Sequence, residues 1–322
     1  MTTLTDKILF RTEFLIKVRT FFAQKNFIEV DTPSLVYSPG IETHLAALKI
    51  DEQIDSVEKY KGIKKYLHTS PEYELKKIIA QTRLDRVFQI ERVYRNDPKT
   101  DYHNVEFTLL EWYQNGETLE ELISFCEELV MFLVPLFESP FQRFSVDQAF
   151  QKFAGFSFHP QYLKEDLIET LYSKNIVPQS LSLEQIKKYA WDDLFFMLFL
   201  SLVEEPLKKE PPTFITHFPS QLASLSKCDP KNLYNSLRTE LYIHGLEISN
   251  GFVELSDPVE QEQRFHDDIQ KRKLLHKPVY PIDYDFLRLL PDIGSMVGMA
   301  LGIERLMMIL YQKKNISEIM YW

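Results

Sequence analysis

Two β-patterned segments around a polar loop constrain this chain more than any other feature. Arg86 to Arg95 reads as one strand and Val105 to Tyr113 as the next, with the loop NDPKTDYHN between them. Side chains alternate along a strand, so Phe107, Glu111 and Tyr113 share one face. The hairpin therefore lines up a fixed cation at Arg95, an aromatic plate at Phe107 and an acidic, hydrogen-bonding end. A purine can stack on Phe107, an amine can meet Glu111 and Tyr113, and the planar fork of Arg95 suits a phosphate oxygen. A half-buried surface hairpin whose arginine pairs with a glutamate has the same pattern.

The flanking sequence sets the fold class. Asp6 to Gln24 carries apolar residues at helical spacing, with Thr5 or Asp6 as its cap. Phe27 to Val30 and Lys65 to Thr69 read as short strands, and Pro71 opens a helix to about Ile79. Thr118 caps a long helix, with Glu121 completing a capping box. Residues of about 140 to 210 are mainly helical and interrupt the strands as an insertion. Strands resume at Thr213 to His217 and Arg238 to Glu254. A helix follows from Pro258 to Leu275, and Met299 to Leu310 reads as strand, glycine turn and helix. Strands on both sides of a helical block, without regular β-α-β alternation, predict an α+β domain with an antiparallel sheet flanked by helices.

Composition narrows the setting. No apolar run reaches the length of a membrane span, and charges stand where a signal peptide would be apolar. Two cysteines among 322 residues give no disulfide framework, so a cytoplasmic protein is expected. The net charge of -10 offers no global basic footprint for nucleic acid.

Three more segments can carry chemistry. In Arg238 to Glu254, His244-Gly245 fits a two-residue turn, which pairs Tyr242 with Glu247. Glu240 and Glu247 then lie diagonally on one face, where two carboxylates can hold Mg²⁺ shared with a polyphosphate. An exposed acidic edge reads equally well, although Asn250, Gly251 and Glu254 extend the polar set into what should be the sheet centre. In Gly298 to Leu306, Gly302 permits close approach, and Arg305 falls among apolar neighbours and needs an anionic or aromatic partner. Phosphate is one such partner and a structural carboxylate another. In His68 to Glu72, a strand end feeds a helix whose first acid, Glu72, suits the helix dipole or a substrate amine.

Taken in order, these segments resemble the catalytic domain of class II aminoacyl-tRNA synthetases, the lysyl type above all. Phe27 to Pro33 is similar to motif 1, Arg86 to Tyr113 to motif 2 and Met299 to Leu310 to motif 3. TSPE at 69–72 and GLEISNGFVEL at 246–255 resemble the lysine-specific subgroup. Pro33 already lies in motif 1, which leaves no room before it for the OB-fold anticodon-binding domain of lysyl-tRNA synthetases. That economy, with PTFITHFPSQLASLSK at 212–227, resembles the elongation factor P–lysine ligases. The whole chain, 1–322, then reads as a single catalytic domain.

The resemblance implies ATP and Mg²⁺ as cofactors, (R)-β-lysine or lysine as substrate, and a lysine side chain of elongation factor P as acceptor. It implies a homodimer built on motif 1 and does not favour tRNA as a partner. It places Arg95 on the α-phosphate and Arg305 over the nucleotide as the catalytic cations. Asn96, Asp97, His103, Asn104, Phe107, Leu241 and Gly302 would complete the ATP site, with Glu240 and Glu247 holding the metal. Ser70, Pro71, Glu72, Glu111, Tyr113, Glu247, Asn250, Glu254 and Ala300 would receive the amino acid.

Three positions depart from the lysyl pattern. Asp97 stands in place of Glu, Val105 replaces the proline of HNPEF, and Ala300 stands where lysyl-tRNA synthetases have glycine. The last agrees with the elongation factor P ligases, and its methyl can reshape the pocket from an α- to a β-amino acid. A ligase acting on RNA or another amine, and a non-catalytic synthetase paralogue, are the competing readings. No residue in the sequence stands out as the base for an acceptor amine.

Overall fold

The computed structural model describes residues 3–50, 65–138, 140–177 and 181–322. Among these, an eight-stranded sheet runs in the order Ile28–Glu29, Arg86–Tyr94, Glu106–Asn115, Met296–Gly302, Leu246–Val253, Arg238–Ile243, Thr213–Thr216 and Gln142–Ser145. Both edge strands pair parallel and every inner pair is antiparallel. The α+β expectation holds. One boundary does not: the insertion begins with a strand, Gln142–Ser145, which joins Thr213–Thr216 and widens the sheet before the chain turns helical. The strand expected through Thr69 stops at Leu67.

The first hairpin runs without a register shift from Arg86↔Gln114 to Tyr94↔Glu106. The second hairpin, separated from the first by strand Met296–Gly302, turns at His244 and Gly245, both at positive φ (53° and 72°), as a two-residue turn between right-twisted strands requires. Tyr242 pairs with Glu247, but Leu241 pairs with Ser249. Ile248 is therefore an extra residue, a β-bulge. An unbroken ladder would set Glu240 opposite Ser249. The bulge sets it opposite Asn250, so Asn250, Phe252 and Glu254 turn to the face that carries Glu240 and Glu247.

The opposite face of the sheet is packed. Helix Leu4–Gln24 starts at a Thr3–Asp6 capping box, ahead of the cap expected at Thr5 or Asp6. It buries Phe14, Val18, Phe21 and Phe22 against Phe88 and Trp112, and Phe22 stacks on Phe88 at 4.4 Å. Each such aromatic contributes about 1.5–3 kcal/mol on burial. Helix Leu119–Leu133, with its Thr118–Glu121 capping box, and helix Ile303–Leu310 complete this layer. Arg11 and Glu304 lock it: Glu304 accepts from Arg11 at 2.9 Å and from the Thr108 amide at 2.9 Å.

The helical segment after residue 146 has a core of its own, with Phe150, Phe158, Phe195 and Phe199 packed against Ile215 and Tyr242 of the sheet. Helix Trp191–Phe199 loosens into a π-helical stretch, Leu200–Glu204. Helices Glu72–Thr82 and Pro258–Leu274 close the remaining side around Tyr73, Phe265 and Phe286. No helix among the described residues is long and apolar enough to cross a membrane.

Candidate active site

A cavity of about 840 Å³ opens between the unpacked face of the sheet, the insertion, and the segment 42–45. Ser70, Glu72, Arg95, Asp97, His103, Asn104, Phe107, Glu240, Glu247, Asn250, Ala300, Gly302 and Arg305 all line it, although they are spread over more than 230 positions of chain. Glu111, Tyr113 and Glu254 lie in the layer beneath, joined to Ser70 and Glu72. Three expected residues fall elsewhere. The Leu241 side chain is fully buried on the core face, because the strand alternates and Glu240 takes the cavity side. Asn96 is exposed and does not line the cavity, and its backbone N–H donates to the Ala46 carbonyl. Pro71 is buried as the residue that opens helix Glu72–Thr82.

At one end of the cavity two arginines converge. The Arg95 guanidinium sits 5.2 Å from the Phe107 ring centre and donates to the Thr69 carbonyl at 3.3 Å. Among the described residues, no carboxylate lies within ion-pair distance of it. Burial depresses its pKa, and Arg305 pushes the same way against the pull of Glu247. Arg305 is half-buried rather than sunk among apolar neighbours. It donates to the Glu247 carbonyl at 2.6 Å, contacts His103 Nε2, and stands 3.8 Å from the Glu247 carboxylate. Burial, followed by Arg305, lowers the pKa of His103, so its ring is neutral at pH 7. Two partly desolvated cations without full neutralisation form an anion site. The atoms nearest a Cβ on Gly302 all belong to Arg305, at 3.6 Å or more, so this glycine clears cavity space rather than relieving backbone strain.

The acidic wall is more committed than the sequence suggested. Glu240 is buried and accepts from Arg238 at 2.5 Å and from the Tyr242 hydroxyl at 2.6 Å. Burial and the neighbouring Glu247 still raise its pKa, against the opposing pull of Arg238. Glu204, which sequence reasoning missed, joins them from the π-helical stretch, its pKa pushed to about 7 by burial and then by Glu247 and Glu240. Its only signal was a carboxylate near the end of an apolar helix, and periodicity could not say that a π-turn aims it at the sheet. Among the described residues no three ligands converge on a ready-made cation site. The donor set is oxygen-only with excess negative charge, which fits Mg²⁺ arriving with a polyphosphate rather than an all-protein cage.

The other end is a buried charge network. Glu111 accepts from Ser70 and from Tyr113, both at 2.7 Å. Lys76, its side chain 1% exposed, binds Glu72 at 2.6 Å and Glu254 at 2.5 Å. Sequence reasoning missed Lys76. The signal was its i,i+4 spacing from Glu72, but only packing shows that this helix face is buried. Burial raises Glu111 to about 7, with Glu72 adding to it, and raises Glu254 to about 8 despite Lys76. Three carboxylates thus face one internal ammonium. Gly298 makes the room: a Cβ there would lie 2.3 Å from Tyr113 Cε1 and 2.4 Å from Glu254 Oε1.

A mainly antiparallel sheet whose open face sets two converging arginines beside a buried acidic network is the architecture of an ATP-dependent ligase of the class II synthetase kind. The sequence matches the family of class II tRNA synthetases (D, K and N) across residues 2–322, and the chain belongs to that family. Among curated relatives it is similar to the elongation factor P–(R)-β-lysine ligase of Haemophilus influenzae, 33% identical over 313 residues, 96% of this chain and 92% of the relative. Proteins of the same name from Salmonella dublin (32% identical; 97% of this chain, 93% of the relative) and Hamiltonella defensa (32% identical; 98% and 94%) match as fully.

Proposed function

We propose that this protein activates (R)-β-lysine with ATP as an acyl-adenylate and transfers the acyl group to a lysine side chain of elongation factor P. The observation that carries the reading is that Arg95, Arg305 and Glu72 line one cavity, with Glu111 and Glu254 joined to its Ser70 and Glu72 in the layer beneath. The names of the relatives, matched over nearly their full length, point to the acceptor.

In the first step the β-lysine carboxylate attacks the α-phosphorus of ATP and pyrophosphate leaves. Arg95 binds the α-phosphate and Arg305 the outer phosphates, offsetting the charge that builds as two anions meet. Phe107 stacks on adenine, with His103 and Asn104 at its edge and Asp97 beside Arg95. Mg²⁺, held by Glu247 and Glu240 with Glu204 nearby, would neutralise the polyphosphate. Glu72, Glu111, Glu254 and Asn250 take the two ammonium groups, and Ser70 and Tyr113 orient Glu111. These contacts hold the carboxylate in line with the phosphorus, which removes much of the entropic barrier.

In the second step the acceptor amine attacks the adenylate carbonyl and AMP leaves. We also infer a homodimer formed through the motif 1 region, where Ile16 and Ile28 present exposed apolar surface. The test is ATP–pyrophosphate exchange with β-lysine and lysine, followed by mass measurement of elongation factor P and of tRNA after incubation. A β-lysyl mass increment on the factor and none on tRNA is expected. No exchange with either amino acid would overturn the ligase reading, and acylated tRNA would overturn the acceptor.

A further inference from the structure

The transfer step requires a proton acceptor, because a lysine side chain has a pKa of about 10.4 and arrives protonated at pH 7. Most carboxylates around the cavity are already engaged. Glu240 holds Arg238 and Tyr242, Glu111 holds Ser70 and Tyr113, and Glu72 and Glu254 share Lys76. Glu42 lines the cavity, and its Oε2 is buried without a hydrogen-bond partner among the described residues. Glu254 Oε1 shares that state but lies beneath the cavity, and Glu204 belongs to the acidic wall with Glu240 and Glu247.

Backbone geometry holds it there. Gly40 adopts φ +107°, and a Cβ at that position would come within 2.7 Å of Glu42 Oε2 and 3.4 Å of Thr69 Oγ1. The glycine thus leaves space for the carboxylate beside the Thr69–Ser70 segment that leads into the amine site. Charged neighbours bracket it. Glu72 acts on it from helix Glu72–Thr82, Asp268 from helix Pro258–Leu274, and Arg95 from the first hairpin. The Tyr73 phenol is also close enough to feel Glu42 and is kept neutral by burial. Asp268 is held by Thr43 at 2.7 Å, and Lys271 and the His44–Asp192 pair stand around it. Glu42 therefore stands beside Thr69, whose carbonyl accepts from Arg95 and whose neighbour Ser70 donates to Glu111. The acyl carbon of an adenylate lies between its amine and phosphate ends, the parts assigned to those two groups.

We propose that Glu42 is the general base that accepts the proton of the acceptor amine in the transfer step. The inference rests on the ligase reading above. One proton passes from the acceptor's R–NH₃⁺ to the Glu42 carboxylate, and the freed lone pair forms the C–N bond at the adenylate carbonyl. The carbonyl carbon–oxygen bond to phosphate breaks and AMP leaves. The remaining extra proton on nitrogen goes to a departing phosphate oxygen, and Glu42 returns its own to solvent. Burial, then Glu72, raise Glu42 to about 7 from 4.5. That change makes proton transfer from an ammonium about 300-fold less unfavourable, and a base near the working pH is the most effective kind.

The test forms the β-lysyl-adenylate on the enzyme and follows single-turnover transfer in wild type and in Glu42→Gln, which keeps size and removes the base. Transfer to elongation factor P should fall by about 10²–10⁴, far more than ATP–pyrophosphate exchange with β-lysine does. The loss toward hydroxylamine, an acceptor already unprotonated at pH 7, should be no larger than the loss in exchange. The wild-type rate should rise with pH through a limb near 7 that the variant lacks. Equal losses with both acceptors, or transfer at the wild-type rate, would overturn the assignment while leaving the ligase reading intact. A wild-type protein that forms adenylate but never modifies the factor would instead overturn the acceptor reading, and this inference with it.

Discussion

Gly298→Ala isolates the end of the site proposed to hold the amino acid. Gly298 pairs with Tyr113 on one side and Phe252 on the other, in the middle of the sheet. An added Cβ would stand 2.3 Å and 2.6 Å from two Tyr113 ring carbons and 2.4 Å from Glu254 Oε1. Ordinary carbon contacts lie at about 3.5–4.0 Å, so the ring and the carboxylate must each retreat by roughly an ångström. Neither has free space to retreat into, since Tyr113 and Glu254 are each 2% exposed. Overpacking of this kind costs about 1–3 kcal/mol of stability. An error of about 1 Å in positioning costs about 10² in rate. The assay is ATP–pyrophosphate exchange, varying β-lysine and ATP separately, alongside thermal unfolding. We expect kcat/KM for the amino acid to fall about 100-fold while KM for ATP stays within about threefold. Gly302→Ala provides the contrast, since the atoms nearest its Cβ all belong to Arg305, at ordinary distance. It should leave stability unchanged and weaken ATP. A folded Gly298→Ala protein with wild-type kcat/KM for β-lysine would refute the placement of Tyr113 and Glu254 at the substrate.

Lys76→Met strands Glu72, and above pH 8 also Glu254, without its cation, and urea denaturation at pH 8.5 should show a loss of about 3–5 kcal/mol. A loss below about 1 kcal/mol would mean that the network is not the buried ion cluster described here. Glu111 and Glu254, raised to about 7 and about 8, are largely protonated at pH 6 and ionise as pH rises. Calorimetry should therefore show β-lysine binding tighter from pH 6 to 8.5 with protons released, by up to about tenfold per pH unit for each carboxyl. The same raised values mean that their contribution to stability is present below the ordinary carboxyl pKa and lost as pH rises through 7 to 8. The melting temperature of the free protein should accordingly fall over that window, and β-lysine should restore it. Ala300 lines the cavity between Asn250 and Glu111 in register. Ala300→Gly should shift exchange from β-lysine toward lysine, and an unchanged preference would remove its methyl as the cause.

The sequence by itself determined the local pieces. Period-two alternation placed Phe107, Glu111 and Tyr113 on one face, because pleating allows nothing else. The Thr118–Glu121 box and the His244-Gly245 turn were legible because capping and positive φ are nearest-neighbour chemistry. Tertiary structure decided what no local pattern encodes. Unbroken pairing would have sent Asn250 and Glu254 to the core side, and the bulge at Ile248 reversed them, since one extra residue inverts every side chain beyond it. Leu241 went to the core by the same alternation that brought Glu240 to the cavity. Nothing in the sequence marks Lys76 as buried, and packing alone set it between Glu72 and Glu254. Glu42 and Glu204 sat in stretches with no chemical signature, and burial together with carboxylates from distant elements gave them raised proton affinities. Strand faces and caps follow from neighbours along the chain, whereas burial and electrostatic coupling follow from neighbours in space.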